Sequence, residues 1–347
     1  MGLLIDRQGL PISYRLFPGN THDSQTLMPV LTEVKKKFGV KRIIAVADKG
    51  LNSGDNIAYN MILGDGYIYS KSVRGAGKEF KEWILDEAGY RTVTGKYKMK
   101  SKVFPDAPNW VTVGKSGKKN KKKNVPIEQK WVVFYSEKYA VRAKYKREEA
   151  IAKAIKMIEN PSKYRNTFDY GAAGYIENIK IDKETGEISN VDDILILDKE
   201  KIAEEEKYDG YYAIVTSELD EPDEHIIDTY RGLWRIEESF KVTKSTLKSR
   251  PVYLSTEEHI NAHFLICFIA LLIARITELR LGGKYTIAQI TETLRKVECS
   301  NIDQNLWLFD YTDDVTDDMN AVFGTDFGQK VMSLKNIRKN LGMAKKT

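Results

Sequence analysis

Residues 228–251, Asp228-Thr-Tyr-Arg-Gly-Leu-Trp-Arg-Ile-Glu-Glu-Ser-Phe-Lys-Val-Thr-Lys-Ser-Thr-Leu-Lys-Ser-Arg-Pro251, read as one helix. Only Gly232 weakens it between Thr229 and Arg250. Pro251 ends it, because its ring removes a backbone donor and clashes with the preceding turn. Tyr230, Leu233, Trp234, Phe240 and Leu247 mostly recur at three or four residues or their multiples, which predicts one face on a core. Glu237 and Lys244 are seven residues apart. In an α-helix they share a face, about 10 Å apart along the axis. Arg231, Arg235, Lys241, Lys248 and Arg250 stand around them. A carboxylate set in a basic, aromatic face suits a metal-dependent enzyme acting on a phosphate backbone: the acid holds the cation and the bases hold the polymer. The same spacing also describes a surface helix with i,i+4 charge pairs and with Tyr230 and Trp234 as core anchors.

The 347 residues are enough for one large or two medium domains. Charged residues make up 30% and hydrophobic ones 42%, as in an ordinary soluble globular protein. The net charge of +6 permits an acidic polymer as partner without requiring one. Its distribution says more. Lys115 to Lys123 carries six lysines and no acid, and the segment from Lys330 to Thr347 is basic with no acid. The two cysteines, Cys267 and Cys299, show no C-x2-C spacing, which predicts neither a disulfide framework nor a zinc knuckle and suits a reducing cytoplasm. The N-terminus lacks the basic and long apolar regions of a signal peptide. The most apolar run, Ala262 to Ala274, is shorter than the about 20 residues of a membrane span and predicts a buried core helix.

Gly2 to Ile5 and Ile12 to Phe17 predict a hairpin around a turn at Asp6 to Gly9. A helix follows from about Ser24 to Phe38, capped by Asp23 or Thr21 and closed by Gly39. Ile43 to Ala47 is a continuous apolar run, predicting a strand buried on both faces. Asp48 ends it, the position where open α/β sheets carry their sites; a turn-forming Asp before the helix near Ser53 is the plainer reading. Residues 60–205 show short β-prone runs at 67–69, 131–135, 175–181 and 194–197, and one helix at about 146–159, predicting a mainly β insertion. The Lys115–Lys123 run predicts a solvated loop at a hairpin tip, with phosphate contact beside Trp110, Trp131 and Tyr135 as the functional alternative. Asp209 to Ser217 is a further strand. Helices are expected over 257–281 and 286–296. Beyond about Asp310 the chain predicts either a terminal strand and helix or partial disorder. His259 and His263 share a helix face but lack the Glu of H-E-x-x-H and a third ligand, so they read as core or hydrogen-bonded histidines.

The 228–251 stretch resembles the Y-x2-R-x3-E-x6-K signature of the IS4-type DDE transposases. It is closer to the IS1634-like branch, whose pattern YxxLWRIExxFxxxKSxLxxRPVY it follows through Tyr253. Tyr230, Glu237 and Lys244 fall in register, while Leu233 stands where the signature has Arg; Arg231 or Arg235 are the candidates for that role. Ala47-Asp48-Lys49-Gly50-Leu51 with Ser53 and Asn56-Ile57 is similar to the family's ADKG stretch, and Pro18 to Ser24 to its GN-x-x-D-x-x-T segment. The Asp209-Gly210 strand resembles the family's DGyxxixT.

The resemblance implies an α/β fold: an RNase H-like mixed sheet with a large mainly β insertion and a helical C-terminal part. Residues 1–60 would open the catalytic core without its first strand, 61–206 form the insertion, 207–300 complete the core and 301–347 extend it. It implies Asp48 and Glu237 as catalytic acids and as ligands of a two-metal Mg²⁺ (or Mn²⁺) site. It implies DNA contacts by Tyr230, Arg231, Arg235, Lys241, Lys244, Lys248 and Arg250. The partner would be double-stranded DNA, at element ends and target, with no membrane. The protein would be a homodimer on DNA in a bacterial cytoplasm, associated with the nucleoid. The family's first acid belongs on a strand before the opening hairpin. Asp6 lies in a turn, and no family motif makes Asp23 a ligand. The expectation is therefore a transposase region performing strand cleavage and strand transfer, truncated and weak or inactive alone. Two alternatives stay open: a non-catalytic DNA-binding or inhibitory remnant, and an unrelated α/β hydrolase using Asp48 and Glu237 as acid and base without metal.

Overall fold

The computed structural model describes residues 1–6, 8–93, 97–116, 119–160, 170–177 and 195–344. The chain divides into a central unit, His22–Arg231, and a terminal unit, Met1–Thr21 with Gly232–Thr347. The terminal unit opens with the antiparallel hairpin β1 (Gly2–Ile5) and β2 (Pro11–Arg15). The central unit then runs α1 (Leu27–Phe38), β3 (Ile44–Ala47), α2 (Gly54–Ile62), β4 (Gly66–Lys71), α3 (Lys78–Leu85), β5 (Arg91–Val93) and β6 (Tyr97–Ala107). It continues with β7 (Trp110–Ser116), β8 (Lys119–Asn124), β9 (Ile127–Tyr135), α4 (Glu137–Glu159) and α5 (Tyr170–Ala173). It closes with β10 (Ile176–Glu177), β11 (Ile196–Leu197), α6 (Lys199–Glu206), β12 (Tyr211–Thr216) and α7 (Asp223–Arg231). The terminal unit resumes with α8 (Trp234–Lys241), a π-helical turn (Val242–Thr246), α9 (Glu257–Arg280) and α10 (Ile287–Lys296). It ends with β13 (Cys299–Asp303), β14 (Leu306–Phe309), α11 (Asp314–Phe323), β15 (Val331–Ser333) and α12 (Leu334–Ala344).

The central unit is built on a six-stranded mixed sheet of order β3-β4-β12-β9-β6-β5. β3 and β4 are parallel, joined by the α2 crossover, and every other neighbouring pair is antiparallel. The runs Trp131-Val-Val-Phe134 and Ala213-Ile-Val215 are apolar on consecutive positions because β9 and β12 lie inside the sheet with both faces covered. Tyr67 and Tyr69 of β4 are fully buried. Their hydroxyls accept hydrogen bonds from Gln129 Nε2 at 2.7 Å and Asn60 Nδ2 at 2.6 Å, which removes the cost of burying them. In the terminal unit Val242, Leu271 and Ile287 form one core, and Leu281, Ile290 and Val315 another.

The opening hairpin, the Gly39 stop, the helix start near Ser53, the strand after Asp209 and the helices at 257 and 286 appear as the sequence predicts. Gly39 is left-handed, with φ +64°. Several expectations change. The stretch 228–251 is not one helix. The chain turns at Gly232–Leu233, and the residues after Lys241 form a π-helical turn, so an unbroken α-helical spacing does not connect Glu237 to Lys244. The helical run stops at Thr246, before Pro251, and Lys248 adopts φ +50°. Trp234 is 54% exposed rather than a core anchor. β3 is an edge strand with Ile44 exposed, so its apolar run covers one face rather than two. Helix α1 starts at Leu27 after a 3₁₀ turn, and neither Thr21 nor Asp23 caps it. Helix α4 begins at Glu137, nine residues before the expected start at 146.

The lysine run is strand rather than a loop at a hairpin tip: Lys119–Asn124 is β8, paired with β7. Lys118 lies outside the described residues, as do most of the strand expected at 175–181 and Ile194. Helix α9, expected as a buried core helix, has 24 residues and is long and apolar enough to cross a membrane by length and composition. It buries Cys267, Leu271 and Arg275 and leaves Ile266, Ile269 and Ile273 exposed. Its bounds agree with the helix expected over 257–281, which reaches well past the 13-residue apolar run. His263 Nε2 lies 3.1 Å from the Ser249 carbonyl, a hydrogen-bonded histidine as expected. Beyond Asp310 the described residues form α11, β15 and α12.

The β7–β8 hairpin is pinned at its base. Asp55 accepts from the Thr112 amide at 2.7 Å and the Thr112 hydroxyl at 2.9 Å. Gly54 is required beside it, since a Cβ there would stand 2.1 Å from the Trp110 carbonyl oxygen. Asp55→Ala is expected to lower stability by about 2 kcal/mol, the cost of two lost bonds to a charged acceptor. Urea unfolding of the full chain measures it, and an unchanged midpoint would show that the clamp carries no stability.

Candidate functional site

Asp48 follows β3 directly and sits in a turn closed by the Leu51 amide, which donates to the Asp48 carbonyl at 3.2 Å. Its Oδ1 accepts the Gly50 amide at 3.0 Å. A Cβ on Gly50 would lie 3.2 Å from Asp48 Oδ1 and 3.9 Å from Asp23 Oδ2. Two exposed carboxylates thus flank a position without a side chain. Neither enters an ion pair among the described residues.

Tyr230, from α7, comes to the same region. Its hydroxyl lies 2.9 Å from that of Tyr212 on β12 and is hydrogen-bonded to Ser70 on β4. Burial pushes its pKa well above the ordinary tyrosine value. The hydrogen bond to Tyr212 and the negative charge of Asp48 add to that, and Ser70 opposes it. The hydroxyl therefore stays protonated at neutral pH and is available as a donor. Arg231 stacks over Tyr97 at 4.6 Å and Phe134 at 5.4 Å, with Asp228 3.6 Å away.

Helix α7 is fixed at its first turn. Asp223 is buried and lies 2.9 Å from Lys130 Nζ, 2.9 Å from Ser101 Oγ and 3.2 Å from Arg91 Nη2. Burial by itself would raise its carboxyl pKa. The hydrogen bonds from Lys130 and Ser101, with the Lys130 charge and Arg91, outweigh burial and hold it below the usual range.

The other signature residues belong to the terminal unit. Glu237 and Glu238 are adjacent on α8 but differently placed. Glu238 Oε2 accepts from buried Arg275 Nη2 at 3.2 Å, and Arg275 also donates to Ser239 Oγ at 3.1 Å and Glu278 at 2.6 Å. Glu237 is exposed and enters no ion pair among the described residues. The Arg235 side chain packs on Gly9, whose φ of +89° leaves that approach open, and its guanidinium lies over Trp234. Lys241, Lys244, Lys248 and Arg250 are exposed, Lys244 with its ammonium 5.7 Å from the Phe240 ring centre.

The structure therefore gathers Asp48, Tyr230 and Arg231 in the central unit, and Glu237, Arg235, Lys241, Lys244, Lys248 and Arg250 in the terminal unit. The division falls between Arg231 and Gly232, inside the signature. Sequence reasoning weighed Asp23 and set it aside as a ligand, and it missed Ser70 and Tyr212. Ser70 and Tyr212 had no signal, because strand pairing alone brings them to Tyr230. Exposed carboxylates without a competing ammonium are the hard oxygen donors that Mg²⁺ or Mn²⁺ takes, so Asp48 and Asp23 fit such an ion in donor chemistry. Among the described residues no group of three or more His, Cys, Asp or Glu is assembled to hold a metal.

Asp223→Asn is expected to destabilise the protein by about 3 kcal/mol, since it leaves Lys130 buried without its counter-charge. The native carboxyl pKa is depressed, so its contribution is present above the unfolded value near 3.8 and is lost as pH falls through the native one. Unfolding midpoints at pH 7 and pH 3 measure this: the wild-type advantage should shrink toward pH 3, and an equal advantage at both would rule out the charge as its source.

A family model for the transposase DDE domain matches residues 1–273. No curated protein matches the chain. Membership implies DNA transposition as the process and DNA as the substrate. The match covers most of the chain and includes both Asp48 and the Tyr230–Lys244 signature, so the protein belongs to the transposase DDE domain family.

Proposed function

We propose that this chain is the catalytic region of an IS4-type DDE transposase of the IS1634-like branch, with an RNase H-like core. In this reading Asp48 and Glu237 are its second Asp and its Glu, each carried by its own unit. Residues 61–206 are the insertion between those two acids, although β4, β5, β6 and β9, all within that range, belong to the same sheet as β3 and β12. The observation that carries the proposal is the meeting of two distant motifs. Tyr230 of the helix signature lies on α7, which packs against β3 and β4, and the pairing of Ala47 with Tyr69 sets Asp48 of the ADKG stretch at the end of those two strands.

Mg²⁺ or Mn²⁺, when bound, would supply Lewis-acid stabilisation of the attacking and leaving oxygens. Asp48 and Glu237 would hold it, both exposed and free of ion pairs among the described residues. Tyr230, which the signature assigns to the DNA interface, is buried and holds the end of α7 through its hydroxyl contact with Tyr212. Arg235, Lys241, Lys244, Lys248 and Arg250 neutralise the phosphate backbone, and Arg231 stands at the end of α7 in the role of the signature's Arg. The first acid of the triad comes from outside the matched motifs. A homodimer on paired DNA ends is the active form of the protein. The setting is a bacterial cytoplasm, in contact with the nucleoid. In this reading helix α9 is a helix of the folded terminal unit rather than a bilayer span, a reading supported by the Arg275 bonds to Glu238 and Ser239 of α8.

The chain is expected to bind duplex DNA with salt-sensitive affinity and to cleave it poorly or not at all by itself. In a preparation that cleaves, Asp48→Ala and Glu237→Ala should each lower Mg²⁺-dependent nicking by at least about 100-fold. A supercoiled-plasmid nicking assay measures both. Robust nicking by the chain alone, lost in Glu237→Ala, would remove the need for a further acid. Nicking that survives both substitutions would overturn the assignment of the acids.

A further inference from the structure

The hairpin of β7 and β8 stands outside the six-stranded sheet as a two-stranded ribbon, paired from Trp110↔Asn124 to Ser116↔Lys119. Its fifteen residues, 110–124, contain no acid. Lys115, Lys121, Lys122 and Lys123 are exposed, and among the described residues none of them meets a carboxylate. Successive strand residues point to opposite faces, so Lys121 and Lys123 share one face and Lys122 takes the other. Cations on both faces do not suit a flat anionic surface, which would meet one face only. They suit a groove with phosphates on either side. The major groove of B-DNA, about 12 Å wide, admits a two-stranded β-ribbon.

The ribbon is also not a loose tether. The Asp55 clamp on Thr112 and the bond from Asn109 Nδ2 to the Gly54 carbonyl at 3.2 Å fasten its base to the first turn of α2. Asn124 Oδ1 accepts the Asn109 amide at 2.9 Å and locks the two strand ends together. Helix α2 begins at the Ser53 cap, directly after the turn that carries Asp48. The lysines therefore hold a set position relative to Asp48 within one folded unit.

We propose that the β7–β8 ribbon grips duplex DNA through its phosphates, with Lys115, Lys121, Lys122 and Lys123 as the contacts and Asp55–Thr112 as the clamp that aligns the duplex with Asp48. The partner, duplex DNA, rests on the transposase reading; the surface and its residues do not follow from it. Phosphate contacts position the duplex without reading its bases.

The test is fluorescence anisotropy of a 30-base-pair duplex against NaCl concentration, with the full chain and with Lys115→Gln/Lys121→Gln/Lys122→Gln/Lys123→Gln. Each phosphate contact contributes about 0.9 to the slope of log K against log salt, so the quadruple variant should lose about 3 to 4 of that slope and bind at least about tenfold more weakly near 0.1 M. The matching Lys→Arg variant should keep the slope. Circular dichroism and thermal unfolding confirm that both variants are folded. A wild-type chain that binds duplex with a slope unchanged in the quadruple variant overturns the ribbon while leaving the transposase reading, which the nicking assay tests separately. A wild-type chain that binds no duplex at low salt overturns the ribbon as well.

Discussion

The ladder of β12 between β4 and β9 is the constraint on which the central unit depends. β12 pairs antiparallel with both, Thr216 facing Ile68 on one side and Lys130 on the other. Thr216 is fully buried and its hydroxyl donates to the Tyr67 carbonyl at 2.7 Å. This strand joins the parallel β3–β4 pair to the antiparallel β9–β6–β5 half, and its far end delivers the chain to α7. Gly210 makes the entry possible: it sits at φ +88°, and a Cβ there would stand 2.5 Å from the Tyr135 ring. Without β12, Tyr230 would have no fixed relation to Asp48.

Buried charge then orients the exposed acids. Asp223 gathers Lys130, Arg91 and Ser101 and so sets the angle at which α7 leaves the sheet. Arg275 gathers Glu238, Ser239 and Glu278 and so sets the roll of α8. Both groups are satisfied mainly through side chains, and each holds a helix that carries a signature residue. Of two adjacent glutamates, one is consumed by Arg275, which leaves Glu237 as the acid open to a ligand. Burial of a charge costs energy unless it is paired, so pairs of this kind place helices more strictly than apolar contact does. The ribbon extends the same logic outward: a carboxylate, Asp55, fixes its base, and its lysines remain without carboxylate partners among the described residues.

The motifs that make up the candidate site are local patterns in the sequence. Asp48 at the end of a hydrophobic strand and the helix start near Ser53 could be read as local patterns of polarity and backbone preference, and Tyr230, Glu237 and Lys244 as a motif shared with a family. The continuous helix over 228–251 could not be corrected from sequence. Gly232 is a weak breaker, and the chain passes there from the unit that holds α7 through Asp223 to the unit that holds α8 through Arg275. The lysine run misled for a related reason: β-propensity disfavours lysine, and pairing with Trp110–Ser116 overrides it.

The sequence alone determined the kinds of element, most of their order and the family to which the chemistry belongs, since periodicity, caps and motif spacing are properties of neighbours along the chain. The tertiary structure decided which acid stands open, which tyrosine hydroxyls meet, that Asp23 shares the Gly50 position with Asp48, and that six lysines in sequence include four exposed cations on a pinned ribbon. Those facts depend on groups far apart in the chain. Strand pairing and the compensation of buried charge bring them together, and neither is written in any short stretch of residues.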